Sequence, residues 1–205
     1  MDDLFKRVLS SIILLPLALY CIFKGSYYLT FLILICFLIA SFEWYKMVKK
    51  NTYKLFGFIF LIISFYTFFE LSINYTIIIP FLICVSTDIG GYIFGNFFKG
   101  PKLTKISPNK TYAGMIGSYL FSILFISLYF NYIDQILTVE LFVLVILIST
   151  VSQIGDIIIS YFKRSSKLKN TGNIIPGHGG LLDRIDGMIF AIPVFYILNL
   201  TNNLF

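Results

Sequence analysis

Seven apolar stretches, approximately 8–23, 27–45, 55–70, 75–97, 112–131, 140–161 and 187–201, take up most of this 205-residue chain. A helix needs about 20 apolar residues to cross the hydrocarbon core of a bilayer. Lipid offers the backbone no hydrogen bonds, so an isolated apolar segment satisfies its own peptide groups as a helix. The pattern therefore predicts an all-α, polytopic transmembrane helix bundle of about seven spans. The chain is 58% hydrophobic and 13% charged, against about 25% charged in an ordinary soluble domain. With 23 Phe and 14 Tyr, it has more apolar surface than a domain of this size can bury, and no stretch is left for a sizeable soluble domain.

The first stretch follows Asp2, Asp3, Lys6 and Arg7 and has the look of a signal peptide. It lacks a convincing small-residue cleavage site, and we read it as part of the mature bundle. Cys21, Cys36 and Cys84 lie in apolar stretches without a CxxC pair, the pattern of small buried hydrophobes. No repeat, low-complexity tract or linker divides the chain.

Charge supplies an orientation. Of the 16 Lys and Arg, 15 fall in alternate connections: Lys6 and Arg7; Lys46, Lys49, Lys50 and Lys54; Lys99, Lys102, Lys105 and Lys110; Lys163, Arg164, Lys167, Lys169 and Arg184. The remaining connections hold Lys24, Glu70, Asp134 and Glu140. The positive-inside rule then puts the N-terminus and the two long basic loops in the cytoplasm. The net charge of +6 reads as topology plus attraction to anionic headgroups, and no nucleic-acid partner is expected.

Two regions interrupt the apolar monotony. The first runs from Ser86 to Gly114. Asp88 lies inside an apolar segment, where a charge is costly and normally faces a bundle interior or an aqueous cavity. On a helix Asp88, Gly91, Tyr92 and Gly95 share a face, and the glycines let a second helix or a ligand come close to the backbone. Ser107-Pro108-Asn109-Lys110-Thr111 precedes the next span; Pro108 suits a helix start, whose free N–H groups, with Lys110 and Thr111, could cradle phosphate. A capped interfacial helix with a solvated Lys110 explains the same residues as well.

The second region runs from Ser152 to Gly187. Ser152, Asp156, Ser160 and Lys163 align on one face of an otherwise apolar helix, so that face lines something other than lipid. The following loop holds Lys163, Arg164, Lys167 and Lys169, and Gly172, Gly177, Gly179 and Gly180 bracket His178, the only histidine. Asp183 and Asp186 follow, three apart. Carboxylates at that spacing on a helix can reach one hard cation, and Mg²⁺ typically takes one or two carboxylates with waters and substrate phosphates. Neighbouring cations suit a polyphosphate, and glycines admit it to the backbone.

The run Ser160-x-Phe162-Lys163-Arg164, Lys169, Gly172, Ile175-Pro176-x-His178-Gly179-Gly180-Leu181-x-Asp183-Arg184-Ile185-Asp186 resembles the signature of the phosphatidate cytidylyltransferases, the CDP-diacylglycerol synthases. The block Asp88-x-x-Gly91-Tyr92-x-x-Gly95 with Ile106-Ser107-Pro108-x-Lys110-Thr111-x-x-Gly114 is similar to the family's other polar region. Together they cover roughly the C-terminal 60% of the chain. Two positions depart: Asn170 stands where the family pattern has Asp, and Ala113 where it usually has Glu.

The resemblance implies one membrane-embedded domain over 1–205, with N-terminal spans in 1–75 and the catalytic portion in 76–205. It implies CTP and phosphatidate as substrates, CDP-diacylglycerol and pyrophosphate as products, and a site on the cytoplasmic face of the inner membrane, built where the two polar regions meet. Lys163, Arg164, His178, Asp183, Arg184 and Asp186 would be catalytic. Asp88, Ser107, Lys110, Thr111, Lys169, Gly179 and Gly180 would bind substrate. Asp156, Asp183 and Asp186 would hold Mg²⁺ or Mn²⁺, with a monovalent cation and a homodimer as further expectations. The alternatives are a CTP-dependent lipid kinase of the polyprenol or phytol type, which shares the Ser-Pro-x-Lys-Thr block but not the long C-terminal run, and an ion channel or transporter lined by Asp88 and Asp156.

Overall fold

A computed structural model describes residues 26–73, 76–135, 138–174 and 179–202, with Pro16, Tyr20, Cys21 and Lys24 besides. The stretch expected to form the first span and the site candidate His178 therefore lie outside the described residues, the former apart from three of those isolated positions. The helices are α1 (Ser26–Met47), α2 (Asn51–Ile73), α3 (Ile78–Phe98), α4 (Tyr112–Tyr132), α5 (Val139–Ser165), α6 (Leu182–Ile185) and α7 (Met188–Asn202). Among the described residues the only extended pairing is an isolated bridge between Lys102 and Thr111.

Five helices, α1 to α5, are long and apolar enough to cross a membrane. At 1.5 Å per residue their 21 to 27 residues span about 32 to 40 Å, against about 30 Å of hydrocarbon. Their outer faces are apolar: Tyr27, Phe31, Phe56, Tyr66, Leu120 and Val143 are all exposed. The protein is thus a multi-pass helical membrane protein. The expected last span is helical too, but α7 has 15 residues and carries Pro193, so it reaches about 22 Å.

The chain packs as two compact units. The first comprises residues up to 74 together with Phe162–Ile185. In it α1 packs on α2 and α6, with Phe37 edge-on to Phe65 at 5.6 Å. Trp44, near the end of α1, meets Phe162 edge-on at 4.9 Å and donates its indole N–H to Lys54 O at 3.3 Å. Ser166 caps a last carbonyl of α1, Met47 O, at 2.6 Å. Residues distant in sequence are thereby clamped to the end of α1.

The second unit comprises Tyr75–Tyr161 and Asp186–Phe205. Its centre is the α3–α4 pair, with α7 also against α3. A Cβ at Gly90 would lie 2.7 Å from Phe121 Cβ, and one at Gly91 would lie 2.8 Å from Ser118 Oγ. Small residues let the two backbones approach and so replace the hydrophobic drive that lipid cannot supply. A side-chain hydrogen bond stitches the same seam, Ser118 Oγ donating to Thr87 O at 2.8 Å, and Thr87 Oγ1 donates in turn to Ser149 Oγ on α5 at 2.8 Å. The Gly91 and Gly95 face is thus filled by a helix, the first of the two uses that the sequence allowed.

Candidate active site

The first unit contains a buried acid that the sequence reading missed. Glu43, on α1, is 1% exposed. Its Oε1 accepts from Leu181 N at 3.0 Å, and its Oε2 from Leu182 N at 2.8 Å and Thr171 Oγ1 at 3.0 Å. A buried carboxylate is tolerable only when so satisfied, and hydrogen bonds to a charged group contribute about 1.5–3 kcal/mol each. Gly172 and Gly180 make room for it, since a Cβ there would stand 2.6 Å from Glu43 Oε1 and 2.5 Å from Glu43 Oε2 respectively. These two glycines, read from sequence as admitting phosphate, admit an internal carboxylate. The available signal was an acid within the apolar segment 27–45, the same cue that drew attention to Asp88.

Asp183 is held as tightly. Its Oδ1 takes the Lys163 ammonium at 2.7 Å, while its Oδ2 accepts from Thr171 N at 2.8 Å and Gly180 N at 3.1 Å. Lys163 comes from the last turn of α5, where its charge also suits the helix dipole. The helix stops just beyond: Lys167 adopts a left-handed φ of 59°, and Leu168 N–H closes on Lys163 O at 2.8 Å. Arg164 is exposed and donates to Leu168 O at 3.2 Å. Lys169, Asn170 and Arg184 are exposed. Gly179 has φ 86°, a conformation for which glycine is suited.

The second unit gathers a different set. Lys110 Nζ lies 2.5 Å from Asp156 Oδ2 and donates to Gln153 O at 3.2 Å. Ser160 Oγ donates to Asp156 Oδ1 at 3.5 Å, as their i, i+4 spacing on α5 dictates. Asp88 is exposed and feels the charges of both Asp156 and Lys110. The backbone carbonyl of Asp186 comes within 3.0 Å of where a Gly155 Cβ would sit, so Asp186 is a neighbour of the same stretch of α5. Asp186 Oδ1 accepts from Gly187 N at 3.0 Å. α6 ends at Ile185, so Asp183 and Asp186 do not share the helical face that their spacing suggested.

The loop before α4 places Lys110. Lys110 N donates to Ser107 O at 3.0 Å, and Leu103 N to Lys110 O at 2.7 Å. Pro108 therefore occupies the second position of a tight turn, where its fixed φ is favoured. The helix starts four residues later than the proline suggested, with Thr111 as N-cap accepting from Gly114 N at 3.0 Å. Capping engages the Thr111 hydroxyl. Ala113 is half-buried on the first turn of α4.

Among the described residues no three Asp, Glu, His or Cys side chains close on one point. A divalent cation that takes one or two carboxylates and leaves its other positions to water and phosphate is nonetheless compatible with the acids around Asp156. Both oxygens of Asp183 are already occupied by its own loop and by Lys163.

Apolar spanning helices, with one acid–base pair in each unit, define a polytopic membrane protein. Residues 53–201 match the cytidylyltransferase family. The phosphatidate cytidylyltransferase of Rickettsia typhi is 33% identical over 97% of this chain and 93% of its own length. That of Rickettsia prowazekii is 35% identical over 97% and 93%, and that of Staphylococcus epidermidis 37% identical over 82% and 67%. The chain belongs to the phosphatidate cytidylyltransferase family.

Proposed function

We propose that this protein transfers the cytidylyl group of CTP to phosphatidate, giving CDP-diacylglycerol and pyrophosphate. The match to phosphatidate cytidylyltransferases over almost the whole chain carries the reading. A phosphate oxygen of the lipid attacks the α-phosphorus of CTP, and the bond from that phosphorus to the β-phosphate bridging oxygen breaks. The attacking oxygen is already anionic near neutral pH, so little general-base help is required. Catalysis then rests on positioning and on neutralising phosphate charge.

Lys163 presents an ammonium whose position is set by Asp183 at 2.7 Å. Lys110, fixed by the Ser107 turn, presents a second. Each can turn from its carboxylate to a substrate phosphate, with Arg164, Lys169 and Arg184 exposed nearby in sequence. His178 would orient or protonate a phosphate oxygen. Asp156, with Asp88 and Asp186 of the same unit, would hold Mg²⁺ or Mn²⁺, which when bound supplies charge neutralisation on the triphosphate. Asp183 serves this chemistry through Lys163 and its loop. The basic connections favour a cytoplasmic site in a bacterial inner membrane, where CTP arrives from water and phosphatidate keeps its acyl chains in lipid.

Purified protein given Mg²⁺, labelled CTP and phosphatidate should yield a labelled CDP-lipid and pyrophosphate. Release of CDP with phosphorylation of a lipid alcohol would make it a kinase instead, and ion flux without turnover would make it a channel.

A further inference from the structure

We infer that Glu43 is a positioning residue for cytidylyl transfer, an internal anion that holds Thr171, Leu181 and Leu182 where the adjoining amides support Asp183 and, through it, Lys163. The inference rests on the cytidylyltransferase reading. Glu43 lies on α1, outside the residues that match the family, 53–201, and its hydrogen-bond partners Thr171, Leu181 and Leu182 are not among the residues assigned to substrate. It acts through the backbone. The three donors it accepts, Thr171 Oγ1, Leu181 N and Leu182 N, flank the two amides, Thr171 N and Gly180 N, that hold Asp183 Oδ2. Two carboxylates thus share one loop. Glu43 fixes its outer donors, Asp183 its inner ones, and Lys163 is carried on the free oxygen of Asp183.

The chemistry of the pocket requires an acid of this length. The three groups that bond Glu43 all donate to it, two of them through backbone N–H, so an amide in its place would set an NH₂ against at least one N–H. Gly172 and Gly180 come too close to admit a bulkier group. Trp44 adds a second constraint from the same turn of α1: it packs on Phe162, the neighbour of Lys163. The end of α1 therefore sets both the loop and the residue preceding the lysine.

The test uses the full chain in detergent or nanodiscs, with Glu43→Gln, Glu43→Asp and Glu43→Ala compared with the wild type. Amide exchange is measured over 170–183 and, as a control, over α4. Turnover is measured per folded molecule, with kcat and KM for CTP separated. Glu43→Gln should speed exchange in the loop and leave α4 unchanged. Its kcat should fall on the order of 100-fold, the scale expected from a misplacement of about 1 Å, with KM for CTP changed by no more than about twofold on that same positioning account. Glu43→Asp, one methylene short but still anionic, should recover part of the loss, and Glu43→Ala none. A merely structural role would reduce the folded fraction and leave kcat per folded molecule unaltered. Either that result or unchanged loop exchange overturns the inference. A wild type that makes no CDP-lipid overturns the functional reading instead, and the exchange data still decide whether Glu43 holds the loop.

Discussion

The ammonium of Lys163 sits 2.7 Å from Asp183 Oδ1, and each side chain is only 11% exposed. The pair joins the last turn of α5 to the signature loop, and Asp183 Oδ2 simultaneously collects two loop amides. Removing one member of a buried pair costs about 3–5 kcal/mol, because the other is left uncompensated.

Lys163→Met should therefore reduce both stability and rate. Turnover should fall at least ~100-fold, since the same ammonium is assigned to phosphate neutralisation. Lys163→Arg keeps the charge and should retain more activity than the methionine variant. Initial rates with labelled CTP check the order; a methionine variant as active as the arginine variant would remove Lys163 from the mechanism.

Gly172→Ala and Gly180→Ala each drive a methyl into the Glu43 carboxylate, at 2.6 Å and 2.5 Å. Each should destabilise the protein by about 1–3 kcal/mol, as overpacking does. Gly95→Ala meets Thr111 Oγ1 at 3.4 Å, an ordinary contact, and should be nearly neutral. Thermal unfolding in one detergent ranks the three, and equal midpoints would contradict the packing account.

Lys110 and Asp156 lie 2.5 Å apart. If Lys110 fills the place that a divalent cation and its phosphates take during turnover, Lys110→Gln leaves Asp156 unpaired. Half-saturation by Mg²⁺ should then move to lower concentration while KM for CTP rises several-fold. Asp156→Asn should abolish Mg²⁺-dependent turnover. Mg²⁺ titrations of both variants test this, and a Lys110→Gln curve that overlays the wild type would refute the exchange.

Asn170 is exposed, and the sequence resemblance leads one to expect Asp there. Its Cβ and Cγ lie 3.3 Å from the position a Gly179 Cβ would take. Asn170→Asp adds a charge without adding volume, and at an exposed site such a change is usually within about 0.5 kcal/mol. Turnover should stay the same or rise. A large loss, measured under the same assay, would give Asn170 a role of its own.

Much of the architecture is legible in the sequence. Hydropathy locates α1 to α5 to within a few residues, because each helix satisfies its own backbone locally and its exposed face need only be apolar. The helix start after Pro108 was misplaced, since a proline favours a turn and a helix start by the same fixed φ. The glycines of α3 were equally compatible with a helix or a ligand. Gly172 and Gly180 resembled a phosphate-binding pattern because close approach by any anion requires the same missing side chain.

The sequence by itself determined that this chain is a membrane-spanning helical protein and that its cations collect in alternate connections, properties that follow from local composition, while the cytidylyltransferase family entered as a resemblance carried by the polar run from Ser160 to Asp186. Only the tertiary structure decided which anion meets which donor. Glu43 reaches Leu181 and Leu182 across 138 and 139 residues, a separation that no periodicity encodes. Asp183 likewise has the spacing of a metal ligand, but Lys163 takes one of its oxygens and two loop amides the other. Buried carboxylates must be satisfied wherever they fall, and the donors that satisfy them exist only once the chain has folded.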